Sequence, residues 1–210
     1  MGMAADRYPC INLNLPGLPG AADPAWDSAP PMELSEVESG RRPFLGTEFR
    51  LLRDDAARAF YLRIIAEDDL LVSTYRLDDE TLYTQDVFEL FIADSGTLAH
   101  YKEIEVSPYD VRFTGTINWL EDGRRLLDMG WDIPGFQTIT RFQAQQHQTV
   151  SLWKLPYDGF ARAPVPLESW RFNVFRVDHS ARGEELQAWQ ATGARNFHVP
   201  ERFGWLDFIQ

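Results

Sequence analysis

From Thr47 onward the chain is built of short apolar alternations broken by turn residues, a texture that admits closely spaced strands and little else. Phe49 and Leu51, then Phe60, Leu62 and Ile64, recur at period two, which places them on one face of an extended segment. The stretch 86–93 is apolar on both sides and reads as a central strand. There Val87, Glu89 and Phe91 point one way and Phe88, Leu90 and Ile92 the other. In the next segment Ile104 and Val106 alternate with Glu103, Glu105 and Ser107, and Pro108 ends the ladder. Further strands are predicted at 111–118, 136–142, 149–154, 170–178 and 205–209, with Glu121-Asp-Gly and Tyr157-Asp-Gly as turns between them. No segment reads as a long helix. The economical fold class is all-β, an antiparallel β-sandwich of the jelly-roll or immunoglobulin-like kind.

Residues 1–22 are read differently. Pro9, Pro16, Gly17, Pro19 and Gly20 exclude a helix and interrupt any ladder, so this part is expected to be an irregular lead-in, pinned by Trp26. The remainder, 23–210, is read as one domain, since 210 residues suit a single β-sandwich. Trp26, Trp153 and Trp170 are assigned to packing.

Charge narrows the partners. With 32 acidic against 20 basic residues the formal charge is −12, which repels phosphate backbones and anionic lipid, so neither nucleic acid nor membrane is an expected partner. No apolar run is long enough to span a bilayer and no export signal is visible, so the chain as it stands is read as soluble and cytoplasmic. The single cysteine, Cys10, has no second thiol to pair with and is read as inert.

Catalytic signatures are sparse. The chain has no Gly-rich phosphate loop, no Gly-x-Ser-x-Gly elbow and no zinc-type histidine pair. Two chemistries remain open. Glu89 and Glu105 on neighbouring strands could act as the acid and base of a glycoside-processing enzyme, which requires carboxyl groups about 5 to 9 Å apart across an open cleft. Alternatively, aromatic faces at Tyr83 and Phe197 could stack on a sugar ring while carboxylates accept its hydroxyls. Glu67, Asp68, Asp69, Asp78 and Asp79 place hard oxygen atoms in loops, where calcium would find ligands. A haem would need axial ligands, for which Met129 and His198 are the only pair suggested.

Several segments in order carry a resemblance: Pro24-Ala-Trp-Asp-Ser-Ala-Pro, Leu82-Tyr-Thr-Gln-Asp-Val-Phe-Glu-Leu-Phe-Ile, Tyr101-Lys-Glu-Ile-Glu-Val-Ser-Pro, Trp170-Arg-Phe-Asn-Val-Phe-Arg and His198-Val-Pro-Glu-Arg-Phe-Gly. Together, from about Asp23 to the C-terminus, they resemble the family 9 carbohydrate-binding modules. The resemblance implies a β-sandwich, often with structural calcium, that clamps a mono- or oligosaccharide between two aromatic side chains, both tryptophan in characterised members. It maps the first clamp position onto Tyr83, the second onto Phe197 or His198, and the family's strand carboxylate onto Glu89. Glu103, Glu105 and Ser107 stand where those members offer an amide, an arginine and an asparagine. The implied function is non-catalytic carbohydrate binding in the service of polysaccharide breakdown, with any hydrolase activity in a partner. The candidate ligand-binding residues are therefore Tyr83, Glu89, Glu103, Glu105, Phe197 and His198. A sandwich scaffold that has lost sugar binding is the other alternative.

Overall fold

The computed structural model describes residues 6–209. The strands are β1 (Arg7–Asn12), β2 (Met32–Glu33), β3 (Ser35–Glu36), β4 (Thr47–Asp54), β5 (Ala59–Glu67), β6 (Val87–Ala93), β7 (His100–Val106), β8 (Arg112–Trp119), β9 (Arg125–Asp128), β10 (Gln137–Gln143), β11 (Gln148–Pro156), β12 (Ser169–Ser180), β13 (Gly183–Ala188) and β14 (Gly204–Phe208). Only short 3-10 turns interrupt them among the described residues, so the chain is all-β, as its alternation predicts.

Two sheets form the sandwich. The first runs β14-β12-β6-β7-β8-β9, with β13 paired to the C-terminal half of β12 and β3 beyond it. The second runs β10-β11-β5-β4, with β2 on the β4 edge. Apart from the contacts of β1, every ladder is antiparallel. The interior holds the inward set of both sheets: Phe88, Leu90, Ile104 and Phe172 from the first meet Phe49, Phe60, Leu62 and Trp153 from the second. Trp153 and Trp170 are buried there as the sequence indicates. Arg176, on β12, adds a polar stitch across the layers by donating to the Glu67 carbonyl (2.8 Å) and to the Thr47 hydroxyl (3.2 Å).

The lead-in departs from its sequence reading. Residues 7–10 form a parallel ladder with β14, and Ile11 and Asn12 pair in parallel with β4, so β1 crosses from one sheet to the other. Pro9 disguises this strand. It has no amide to give, but residues 7–10 are paired along one edge only, which leaves room for it. Tyr8 and Cys10 drop into the sandwich core, and burial raises the Cys10 thiol far above its ordinary range, which keeps it unreactive. After β1 the chain lies on the outside of the second sheet, where Leu13, Leu15 and Leu18 pack with Trp26, Tyr61 and Leu152. Trp26 is fully buried and donates from its indole to the Gly20 carbonyl (2.9 Å), the pin expected of it.

The Tyr8 hydroxyl accepts from the Leu51 amide (2.7 Å) inside the core. Tyr8→Phe leaves that buried amide unsatisfied and is expected to lower stability by about 1–3 kcal/mol in urea unfolding. An unchanged midpoint would contradict the docking of β1.

Candidate functional site

The outer face of the first sheet carries the polar set. On β6 the period of two turns Val87, Glu89 and Phe91 outward, and on β7 it turns out Tyr101, Glu103 and Glu105. The register then sets Glu89 directly opposite Glu105 and Phe91 opposite Glu103. Like charges in directly opposed positions weaken a sheet, so this arrangement works against the fold's own stability. One carboxylate oxygen from each of Glu89, Glu103 and Glu105 lies within 4.8 Å of the others. All three side chains are buried, with exposures of 1%, 5% and 0%. Neither oxygen of Glu105, nor Oε1 of Glu89, has a hydrogen-bond partner.

Burial is the main reason all three acids hold their protons more tightly than usual. It drives Glu89 well above the ordinary carboxylate range, with the Glu103 charge adding to it. Glu105 is raised by burial and then by the charges of Glu89 and Glu103. Glu103 is pushed up to about 7 by burial, against the opposing pull of the Arg125 guanidinium.

A cavity of about 310 Å³ opens over this group. Phe113 and Ile117 of β8, Val177 of β12 and Leu186 of β13 give it an apolar floor, and Leu127 and Arg125 of β9 close one side. Gly115 sits opposite Glu103 in the β7–β8 ladder. A Cβ there would lie 2.6 Å from Leu127 Cδ1, so the glycine lets β9 close against the sheet. Tyr83, from the turn Leu82–Thr84, forms another wall, and Arg195, Asn196, Phe197 and His198 complete it from the C-terminal loop.

The sequence candidates thus converge with one exception and one altered role. Tyr83, Glu89, Glu103, Phe197 and His198 all line the cavity. Tyr83 is 51% exposed and offers a free ring. Phe197 does not stand free as expected. It is buried and stacked on Phe175, with centroids 4.4 Å apart and planes at 18°, so one of its faces is already covered. His198 is held by the Tyr101 hydroxyl at Nδ1 (2.8 Å) and lies beside the Phe91 ring. Its Nε2 is 3.9 Å from Glu103 Oε1. Glu105 is the exception, for it is enclosed behind Glu89 and Glu103 and is not part of the lining. The acid-and-base pairing of Glu89 with Glu105 fails as well. Those carboxylates lie side by side on one sheet face and are fully buried, with no open cleft between them to admit a glycosidic bond. Arg125, Asn196 and the apolar floor escaped the sequence reading, because only the closing of β9 and the C-terminal loop brings them here.

Several carboxylates of the acidic loops are engaged by neighbouring groups of the protein. Asp68 accepts from the Thr149 hydroxyl (2.6 Å) and the Leu70 amide (3.2 Å), Glu67 from the Gly46 amide (2.8 Å), and Asp78 pairs with Arg112 (2.7 Å). Among the described residues the converging set of metal-capable side chains is the Glu89, Glu103 and Glu105 group. Met129 and His198, the pair suggested as haem ligands, line different cavities. No helix among the described residues is long and apolar enough to cross a membrane.

Because these acids bind protons more tightly folded than unfolded, their contribution to stability is full below the unfolded value of about 4.5 and is lost as pH rises through about 7 for Glu103. In chelator-containing buffer the melting temperature is therefore expected to fall between pH 5 and pH 8. Glu105→Gln keeps the shape without the charge and is expected to flatten this dependence, raising the melting temperature more at pH 8 than at pH 5. Equal melting curves for the variant and the parent at pH 8 would show that the buried charge carries no cost.

Residues 18–210 match the family described as carbohydrate family 9 binding domain-like. Among solved structures, a candidate carbohydrate-binding protein from Bacteroides uniformis superposes with a TM-score of 0.76 at 14% identity, over 98% of this chain and 100% of that one. A family 9 carbohydrate-binding module from Caldicellulosiruptor kristjanssonii in complex with cellotriose gives 0.65 at 17% identity, over 97% and 94% of the two chains. The module from the same organism in complex with glucose gives 0.63 at 18%, over 97% and 95%. At such identities these likenesses establish the shared fold. No curated protein matches the chain significantly.

Proposed function

This chain belongs to the carbohydrate family 9 binding domain-like family, and from that premise we propose that it is a non-catalytic carbohydrate-binding domain with its ligand in the cavity over Glu89 and Glu103. The observation that carries this reading is the presence of a half-exposed aromatic ring, Tyr83, and two buried carboxyl groups, Glu89 and Glu103, in the lining of one cavity. A pyranose asks for that combination: its C–H face stacks on an aromatic ring and its hydroxyls donate to carboxyl oxygens. The cavity volume of about 310 Å³ is at the small end of ligand sites, which suits a monosaccharide or a chain end better than the interior of a polymer.

The residues take distinct parts. Tyr83 supplies the stacking face, and the remaining edge of Phe197 narrows the opposite side. Glu89 and Glu103 accept hydroxyl hydrogen bonds, while His198, held by Tyr101, lines the same space. The apolar floor of Phe113, Ile117 and Val177 excludes water around the ring. Glucose and short cello-oligosaccharides are the sugars to try first, since relatives of this fold are seen with them. Any bond cleavage belongs to a partner, whose polysaccharide substrate the domain would help to hold.

Calorimetric titration with glucose, cellotriose and a panel of other mono- and oligosaccharides tests the assignment. Saturable binding is expected, weakened about tenfold or more by Tyr83→Ala, in line with about 0.5–1.5 kcal/mol for stacking beyond the area lost. Glu89→Gln is expected to weaken it as well. Silence across the panel would overturn sugar binding and leave the sandwich as a scaffold.

A further inference from the structure

The carboxyl group of Glu105 has no part in the sugar reading, yet its burial is costly. It is fully buried, directly opposite Glu89, and both of its oxygens lack a partner. A chain that needed only packing at this position would be better served by glutamine or an apolar residue of similar volume. When it is ionised, a positive charge set among the acids would make the arrangement favourable.

We propose that Glu89, Glu103 and Glu105 hold a divalent cation, of the calcium type, beneath the floor of the cavity. Three oxygens no more than 4.8 Å apart can all touch one central ion at up to about 2.8 Å, which covers the 2.3–2.6 Å that calcium prefers. The donors converging there are all carboxylate oxygens, with no thiol or imidazole among them, and this composition selects a hard ion over zinc or copper. An ion also reaches where a larger cation does not. A ligand ammonium entering through the cavity would meet Glu89 and Glu103, which line it, but not Glu105 behind them. A bare ion can settle among all three. The formal charge of −12 favours cation capture at long range.

This site differs from the acidic loops, where Asp69 and Asp79 are exposed and their neighbours are already engaged. Glu89 and Glu103 belong to this site and to the sugar cavity alike, but the two readings are tested apart, because the ion is titrated with no sugar present. The full chain, stripped by chelator, is titrated with calcium chloride in a calorimeter at pH 7.5 and melted with and without the ion. Saturable binding at one site per chain is expected, together with a higher melting temperature in calcium. Glu105→Gln is expected to weaken calcium binding about tenfold or more through the loss of one ligand charge, and to lose the calcium-dependent rise in melting temperature. That variant relieves a buried charge and is expected to fold. Asp69→Asn and Asp79→Asn are expected to bind as the parent does. No heat and no change in melting temperature at millimolar calcium would overturn the proposal, as would binding that survives Glu105→Gln unchanged or disappears in the loop variants.

Discussion

The register of two antiparallel strands, which sets Glu89 opposite Glu105 with Glu103 two residues along, is the constraint from which the rest of this structure follows. Three carboxyl groups removed from water on one sheet face oppose folding through desolvation and mutual repulsion. Such a cluster persists only where the surrounding structure over-determines it, and where the unmet acceptors serve a purpose outside the fold. The aromatic and apolar groups arranged around it point to that purpose, a ligand that brings hydroxyl donors or positive charge.

The sandwich supplies the over-determination. β12 is paired along both edges, to β6 on one side and to β14 and β13 on the other, so β6 cannot slip by one residue. A slip of one position would send Phe88 and Leu90 out of the core and is resisted by the whole interior. β1 joins the two sheets by parallel pairing with each, and the segment that follows covers the far side of the second sheet. The C-terminal loop does the same for the first sheet, except where the cavity remains open over the acids. Each outer face is thus closed by one end of the chain.

Much of this was legible in the sequence, because period two alone assigns both the core set of β6 and β7 and the outward position of their glutamates. The segments expected at 111–118, 136–142, 149–154, 170–178 and 205–209 correspond to β8, β10, β11, β12 and β14 within a residue or two. Two kinds of feature were not legible. β1 is masked by Pro9, and β9 and much of β13 are too exposed and too short to show an apolar alternation. Tertiary contacts decide the second kind. Nothing local shows that the Phe197 ring is covered by Phe175, that Gly115 admits Leu127, or that Glu105 is shut off from the space Glu89 and Glu103 face. The burial of Glu89 beside Glu105, and with it the loss of the acid-and-base alternative, also depends on register and burial together.

The central claim is that ligand enters the cavity above the buried acids and nowhere else on the molecule. Amide chemical-shift mapping in a titration with cellotriose tests it most directly. The account predicts progressive, saturable shifts confined to the backbone around Tyr83, Phe113 to Ile117, Arg125 to Leu127 and Arg195 to His198. Saturable shifts centred on the second sheet, with those residues unmoved, would contradict it.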